Sequence, residues 1–346
     1  MRVKIKIIGK DGQGWSIDKD RFYNEKVLSE LDYNLTKCLI KADIIYAVWY
    51  SYLLKKKLLP LKILKGKRKV VAAVTNNIEK VNTNFSKYKN YVDYWICANS
   101  EQKEYLLKQE VEAKNIFFNP FYVDEFKFKN IRSSKKEIAS KLNIDYKQIE
   151  NKFIIGSFQR DSRGDDLTKS KWHKNPEQII NILKKIDKNK ILLLLAGPRR
   201  HFLINECRKN KIPYLFIGNE KYVNRIKDDI SENNLSQDKI NLLYNLIDLY
   251  IVTSVSEGGP KAIIEASLTK TAILSTPVGF APNLLDEYLI CSNENDFFNK
   301  ITEFIEEEKI LKDKVQINYD KVSQINNFEA YKQRLKKIFE TISNDR

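Results

Sequence analysis

Two glutamates, Glu257 and Glu265, flank a turn that follows an apolar strand-like run in the second half of the chain. The turn is Gly258-Gly259-Pro260, in which glycine permits close backbone approach and proline favours the first position of a helix. The N–H groups of Lys261 and Ala262 would then lie at the helix start, where the helix dipole favours an anion. We therefore predict that this turn binds a diphosphate.

The spacing of the two carboxylates suggests separate contacts with a ligand. Glu265 lies four residues after Lys261, on the same helix face and one turn further along. An ionised carboxylate only accepts hydrogen bonds, which suits the diol of a ribose. Glu257 precedes the helix, near the place of a sugar attached to the phosphates. The alternative is an ordinary i,i+4 surface pair of Lys261 and Glu265 beside a plain turn.

Basic residues are concentrated in the segment that follows the predicted strand 153–157. They are Arg160, Arg163, Lys169, Lys171, His173 and Lys174. The segment ends in Asn175-Pro176, which is typical of a helix N-cap followed by proline. Arginine offers planar bidentate contacts to phosphate and lysine a compact charge. We predict that this loop neutralises phosphates, but for Arg163 and Lys169 we favour a basic loop without a ligand.

Two other turns follow predicted strands. In the second half, Gly197 and Arg199 come after the run 191–196, and Arg199 is placed to reach the same ligand. His201, just beyond, is interpreted as an ordinary loop histidine. In the first half, Gly12 and Gly14 follow the first predicted strand and form a glycine-rich turn able to approach a ligand. A G-x-G pattern by itself is weak, since it occurs widely.

These residues need a scaffold, and apolar runs alternating with helix-like segments predict a parallel α/β fold. The strands predicted in the first half are Val3–Ile8, Ile44–Val48, Lys69–Thr75, Tyr94–Ala98 and Asn115–Asn119. Those predicted in the second half are Phe153–Ser157, Ile191–Ala196, Tyr214–Ile217, Leu249–Val255, Thr271–Ser275 and Tyr288–Cys291. We expect two Rossmann-like domains whose parallel sheets face each other across a cleft.

The domain boundaries are predicted from a charged stretch, 131–150, in which no strand is expected. Residues 1–150 would form an N-terminal, acceptor-binding domain with its linker, and residues 151–325 a C-terminal domain that binds the nucleotide. Residues 326–346 should form a helix that packs back toward the N-terminal domain. Its apolar residues recur at helical spacing: Tyr331, Leu335, Ile338, Phe339 and Ile342.

Charge is concentrated in the first half of the chain. The net charge of the 346 residues is +16, and residues 1–150 hold 30 Lys and Arg against 18 Asp and Glu. The densest patch, Lys55–Lys69, is interleaved with Leu and Ile. It predicts contact with an anionic membrane surface or a polyanionic acceptor. The alternative, a solvated helix face in a lysine-rich chain, remains equally open.

Composition points to a globular cytoplasmic protein. Hydrophobic residues make up 42% of the chain and charged residues 31%. The four cysteines lie far apart, which suits a reducing compartment and neither a zinc site nor a disulfide framework. No apolar run approaches the roughly 20 residues that span a bilayer. We expect a cytoplasmic location, with peripheral contact at the inner face of a membrane if the basic patch binds lipid.

Several segments resemble, in their order, the retaining glycosyltransferases of family 4, which have the GT-B fold. Residues 244–254 resemble that family's "lYxxaDvfvlPS" segment, and Glu257 to Glu265 matches its E-x7-E motif. Residues 271–283 resemble "tPVvatdvGgipe". In the first half, residues 92–100 and 115–124 resemble "vDxvialS" and "ivvIpNGvD". The resemblance covers nearly the whole chain and is strongest over residues 150–290.

The resemblance implies roles for these residues. Glu265 would bind the ribose and Glu257 the transferred sugar, while the backbone of 259–262 would contact diphosphate or sugar. Arg160 and Lys174 would stabilise the departing diphosphate, because preorganised cations best meet charge that develops on a leaving group. No metal or other cofactor is implied. Two departures from the family pattern concern the donor sugar. Asn76 lies near the position where the family has a first-domain histidine, and Asn175 takes the place of a glycine.

The function predicted is retaining transfer of a sugar from a UDP-, GDP- or ADP-sugar to a glycan or lipid-linked acceptor. One alternative is glycosylation of nucleic acid, suggested by the basic first domain; no nucleic-acid-binding motif supports it. Another is a non-catalytic subunit that binds nucleotide sugars, suggested by the missing histidine; the intact pair of carboxylates argues against it.

Overall fold

The computed structural model describes residues 2–12, 14, 16–54, 68–77 and 85–345. The chain divides into two compact units: Met1–Tyr122 together with Ile325–Arg346, and Val123–Gln324. Each unit is built around a parallel β-sheet with helices packed on it. This is the α/β organisation that the alternating pattern predicts.

The first unit contains a sheet with the strand order β2–β1–β3–β4–β5–β6, parallel throughout. Its strands are β1 (Lys4–Ile8), β2 (Asn34–Leu35), β3 (Ile44–Ala47), β4 (Lys69–Ala73), β5 (Tyr94–Cys97) and β6 (Ile116–Phe118). Helices of this half are α1 (Ser16–Glu30), α2 (Phe85–Lys89) and α3 (Ser100–Lys108). Strands β3 and β5 are buried at every position, as parallel strands covered on both faces must be.

The second unit contains a sheet with the strand order β11–β10–β7–β8–β9, also parallel. Its strands are β7 (Phe153–Ser157), β8 (Ile191–Ala196), β9 (Tyr214–Ile217), β10 (Leu249–Val252) and β11 (Ala272–Ser275). Its helices are α4 (Lys135–Lys141), α5 (Pro176–Leu183), α6 (His201–Asn210), α7 (Lys221–Asn224), α8 (Gln237–Leu246), α9 (Lys261–Leu268), α10 (Ala281–Leu284), α11 (Glu294–Glu306) and α12 (Glu308–Ile325).

The last helix, α13 (Phe328–Asn344), packs in the core of the first unit. The five apolar residues whose helical spacing is noted above are its buried residues. Tyr331 donates a hydrogen bond to Asn24 Oδ1 on α1 at 3.0 Å, and Lys332 pairs with Glu30 at 2.8 Å. The chain therefore ends in the unit in which it began.

The segment 123–150, which the sequence analysis attaches to the first domain, lies in the second unit. Its backbone N–H groups at Lys129 and Ile131 donate to the side chains of Asn241 and Asn245, at 3.0 and 2.7 Å. Lys135 pairs with Asp248 at 2.5 Å. Polar contacts of this kind produce no periodic pattern in the sequence, so the charged stretch is predicted to be a linker. In the structure its helix α4 packs on α8.

One predicted strand is absent. Residues 288–291 begin in a 3-10 turn, Glu287–Leu289, and only Ile290 bridges to Ser275. Asp286 accepts a hydrogen bond from the N–H of Tyr288 at 3.0 Å, which stabilises the turn in place of a strand. Most of the basic patch Lys55–Lys69 lies outside the described residues, which resume at Arg68. No helix in the described part of the chain is long and apolar enough to cross a membrane.

Candidate functional site

The predicted phosphate-binding residues of the second half all lie beyond the carboxyl ends of neighbouring parallel strands. Strands β10, β7 and β8 are adjacent in the sheet. Parallel strands end at one edge, so the loops that follow them meet there. The loops after these strands carry Glu257, Arg160 and Arg199 respectively. The fold thus gathers these predicted residues within the second unit.

The turn after β10 leads directly into helix α9, which begins at Lys261. Pro260 occupies the N-cap, one position earlier than predicted, and its carbonyl accepts the N–H of Ile263 at 3.0 Å. The first N–H groups of a helix have no acceptor in a preceding turn, and they carry the positive end of its dipole. In α9 these first N–H groups belong to Lys261 and Ala262, the two residues predicted to face an anion.

A further glycine, Gly279, packs closely against this turn. Gly279 adopts a φ of +57°, and a Cβ there would lie 2.9 Å from both N and Cα of Gly259. It would also lie 3.0 Å from Cδ of Pro260. Only a residue without a side chain allows this approach. No role is predicted for Gly279 from its sequence position alone, although it follows strand β11.

Glu257 forms an ion pair with Lys174, whose ammonium contacts Oε1 of the carboxylate. The hydroxyl of Ser254 donates to the same oxygen at 3.0 Å. Both charged side chains are largely buried, with 15% of the Glu257 side chain and 18% of the Lys174 side chain exposed. Removing one partner of such a pair leaves the other charge poorly solvated. The pair joins the turn after β10 to the loop after β7.

That loop, residues 158–175, is called the basic loop below. It folds back on itself through an antiparallel bridge between Ser162 and Ser170, and Lys171 donates its N–H to the carbonyl of Asp161 at 2.7 Å. At its far end the carbonyl of His173 accepts the N–H of Val255 at 2.9 Å. The loop is therefore fixed to its own start and to the exit of β10.

The backbone explains the asparagine that departs from the family pattern. Asn175 has φ 48° and ψ 54°, the left-handed region, and stands at the N-cap of α5 without a capping hydrogen bond from its side chain. Glycine enters this region freely, and asparagine is among the few other residues that tolerate it. The conformation that glycine permits in the family is thus available to Asn175. Thr253 stabilises it by donating to the carbonyl of Asn175 at 2.9 Å.

The charges of the basic loop act on one another. Burial, and then the positive charges of Arg160 and Lys174, lower the pKa of Lys171 to about 8. Burial, and then Lys171 and Lys174, lower the pKa of His173 to about 4, so its imidazole is neutral at pH 7. Repulsion by nearby positive charges and loss of hydration both disfavour the protonated forms of Lys171 and His173. Glu257 is the carboxylate that opposes these charges at Lys171 and His173.

Glu265 is held by a tyrosine that the sequence analysis did not single out. The hydroxyl of Tyr244, on α8, donates to Oε2 of Glu265 at 2.9 Å. The ring of Tyr244 is fully buried against Phe158 and Tyr250. Burial, and then the charge of Glu265, hold the pKa of Tyr244 well above its usual range, so the hydroxyl keeps its proton. The carboxylate is oriented before any ligand arrives.

The loop after β8 is less available than predicted. The guanidinium of Arg199 forms a bidentate pair with Asp228, at 3.0 Å from Nε and 2.6 Å from Nη2. Gly197 and Arg199 both have positive φ, at 85° and 58°. His201 is not a loop residue: it begins helix α6, is 1% exposed, and lies 3.5 Å from Asp229. Arg199 thus contributes charge near the basic loop while its own hydrogen bonds are directed elsewhere.

The first-half candidates lie in the other unit. The backbone N–H groups of Asp11, Gly12 and Gly14 all donate to the carboxylate of Asp18, at 2.9, 2.9 and 3.0 Å. A carboxylate of the chain itself therefore fills this turn. Asn76 donates from Nδ2 to the hydroxyl of Tyr50 at 3.3 Å.

Comparison with known proteins finds a family model that matches part of the second unit. Residues 168–321 match the family described as glycosyl transferases group 1. No curated protein matches the sequence.

Solved structures match over the full length of the chain. HepE from Anabaena, in complex with UDP and glucose, is 14% identical with a TM-score of 0.75, covering 98% of this chain and 100% of HepE. Sucrose-phosphate synthase from Thermosynechococcus elongatus is 10% identical with a TM-score of 0.73, covering 100% of both chains. A glycosyltransferase from Rickettsia africae is 14% identical with a TM-score of 0.69. The chain has the GT-B fold, and its second unit holds the segment that matches glycosyl transferases group 1.

Proposed function

We propose that this protein is a retaining glycosyltransferase that moves a sugar from a nucleotide-diphosphate donor to a glycan or lipid-linked acceptor. The observation that carries the proposal is the Glu257–Lys174 pair beside the start of helix α9, with Glu265 held one turn further along by Tyr244. A helix start, a basic loop and two oriented carboxylates match the parts of a nucleotide sugar. The match of residues 168–321 to glycosyl transferases group 1 supports the same conclusion.

The donor would lie along these elements from its base to its sugar. Glu265, which only accepts hydrogen bonds when ionised, would take those of the ribose diol. The N–H groups of Lys261 and Ala262 would bind diphosphate oxygens at the helix start. Glu257 would accept a hydrogen bond from a hydroxyl of the transferred sugar, in competition with Lys174. UDP is the first nucleotide to test, because the Anabaena HepE structures contain UDP or UDP-glucose.

In the reaction the bond from C1 of the sugar to the diphosphate oxygen breaks, and the acceptor oxygen bonds to C1 from the same face. The acceptor hydroxyl gives its proton to the departing phosphate oxygen. Arg160 and Lys174 stabilise the charge that develops there, which is the contribution preorganised cations make best. Because the proposed reaction uses these cations and no metal ion, we expect it to proceed in the presence of EDTA.

Binding of UDP to the Glu265→Ala variant tests the donor site. We expect the variant to bind UDP at least tenfold more weakly by calorimetry, since a hydrogen bond to a charged group contributes about 1.5–3 kcal/mol. Tyr244→Phe keeps the carboxylate and removes only its orienting bond, so a smaller loss of about three- to tenfold is expected. The matched control is Glu306→Ala, which removes an exposed carboxylate from α11 in the same unit.

Two outcomes contradict the proposal. The first is that none of UDP, GDP, ADP or their sugars stabilises the wild-type protein against heat. The second is that Glu265→Ala and Glu306→Ala bind UDP equally well. Loss of sugar transfer in EDTA would contradict the metal-free chemistry alone.

A further inference from the structure

Lys171 is a cation of the basic loop to which neither the family resemblance nor the E-x7-E motif assigns a role. The bridge between Ser162 and Ser170 places Lys171 directly opposite Asp161, the residue after Arg160. Its N–H bond to the carbonyl of Asp161 fixes that position. Lys174 follows one 3-10 turn later, with its N–H bonded to the carbonyl of Lys171 at 2.8 Å. The backbone thus keeps Lys171 close to both cations expected to meet the diphosphate.

The ammonium of Lys171 is partly buried and has no hydrogen bond or ion pair with any residue that the structure describes. Four charged groups act on it: Arg160, Lys174 and Arg199 repel it, and Glu257 attracts it. Glu257 already pairs with Lys174, and Arg199 with Asp228. The neutral imidazole of His173 stands beside it. A partly desolvated ammonium among cations is costly unless an anion binds there.

We propose that Lys171 is a third phosphate-binding residue of the donor site, and that it takes up a proton when a diphosphate binds. The proposal rests on the proposed donor site and adds to it. The charge of Lys174 is already opposed by Glu257, whereas a diphosphate carries at least two negative charges. Lys171 adds positive charge when it is protonated, and above pH 8 it releases the proton when the site is empty.

The consequence is a pH dependence with a definite sign. In the empty site the pKa of Lys171 is lowered to about 8, by burial and then by Arg160 and Lys174. A bound anion favours the charged ammonium and raises this pKa. Affinity is therefore full below pH 8 and falls as the pH rises above it, by up to about tenfold per pH unit, because binding must then recruit a proton.

Calorimetry at pH 7 and pH 9 with two probes, inorganic pyrophosphate and UDP, tests this. For the wild-type protein we expect UDP affinity to fall about tenfold between these pH values, and UDP binding at pH 9 to take up about 0.9 proton per site in buffers of different ionisation enthalpy. Lys171→Arg, whose charge does not titrate, should show no such fall and no proton uptake. Lys171→Met should bind at least about tenfold more weakly at pH 7, since a charge-assisted hydrogen bond contributes about 1.5–3 kcal/mol.

The control is Lys169→Met, which removes an exposed lysine from the same loop and should bind both probes as the wild-type protein does. Ionisation of the probes themselves changes equally for all variants, so the ratios between variants isolate Lys171. The proposal is overturned if Lys171→Met matches the control, if proton uptake on UDP binding persists in Lys171→Arg, or if neither probe binds. If pyrophosphate binding depends on Lys171 while no nucleotide binds, the Lys171 site stands and the proposed function fails.

Discussion

Each unit places glycines between a strand and a helix, and the two turns differ in what the neighbouring carboxylate does. In the first unit Asp18 accepts the N–H groups of the turn itself, three hydrogen bonds at 2.9–3.0 Å. In the second, Glu257 reaches across to Lys174 of the basic loop. One carboxylate closes its own turn, and the other ties its turn to a set of cations. A glycine-rich strand–helix turn is therefore not in itself a ligand site; the side chains around it decide.

The largest effect is expected from breaking the tie in the second unit. Lys174→Met removes a cation from the proposed leaving group and leaves Glu257 without its partner. Loss of one preorganised group of this kind lowers kcat by about 10²–10³. Steady-state transfer from UDP-glucose, with Lys169→Met as the matched lysine control, measures it. A loss of less than about threefold would show that Lys174 has a structural role only.

Adding one methyl group to each turn sharpens the comparison. Gly279→Ala meets the backbone of Gly259 at 2.9 Å with φ at +57°, and we expect it to cost about 2–3 kcal/mol of stability and to weaken UDP binding. Gly12→Ala also has a positive φ, +74°, but no atom lies within 4 Å of the added carbon. It should cost only about 1 kcal/mol and leave UDP affinity unchanged. Thermal denaturation and calorimetry on both variants decide; equal effects on binding would refute the distinction.

The smallest effect is expected at Asp18, whose removal opens the turn of the first unit. Slight burial raises the pKa of Asp18, but hydrogen bonds from Gly14, Asp11 and Gly12 outweigh it and lower the pKa below its ordinary value of 3.8. This stability is therefore present above pH 3.8 and is lost as the pH falls through the lower folded value. Asp18→Ala should cost about 1 kcal/mol at pH 7, measured by urea unfolding, and abolish that acid-dependent part.

UDP affinity of the same variant completes the comparison. The N–H groups of the turn after β1 donate to Asp18, and no contact with the donor is proposed for this turn. We therefore expect the UDP affinity of Asp18→Ala to equal that of the wild-type protein. Weaker binding in Asp18→Ala would mean that the first-unit turn takes part in donor binding after all.

Much of the fold could be predicted because its signals are local. Ile191–Ala196 is apolar at every position and is the buried strand β8, with the bounds predicted. The helical spacing of Tyr331 to Ile342 predicted the buried face of α13. The strand predicted for residues 288–291 is wrong, because a short apolar run does not distinguish a strand from a 3-10 turn capped by an aspartate. Residues 123–150 were assigned to the first domain, but they lie in the second unit. Side-chain amides of α8 accept hydrogen bonds from their backbone, and these contacts join residues more than 100 positions apart in sequence.

The candidate site divides in the same way. Glu257 and Glu265 could be singled out because their spacing around a glycine turn is a feature of one continuous segment. The contacts of these carboxylates could not be predicted. Lys174, itself predicted as a phosphate-binding cation, is 83 residues from Glu257, and Tyr244 is 21 residues from Glu265. Arg199 was predicted to face the ligand, yet Asp228, brought near by folding, takes its guanidinium.

By itself the sequence determined the elements and the residue types at their ends, because periodicity, turn formation and helix starts depend on neighbours along the chain. It determined in this way the parallel α/β layout, the start of α9 and the basic loop. Tertiary structure alone decided which charge meets which. Ion pairing falls off over a few ångströms and depends on burial, so only the folded chain could fill one turn with Asp18, join the other to Lys174, and leave Lys171 among cations.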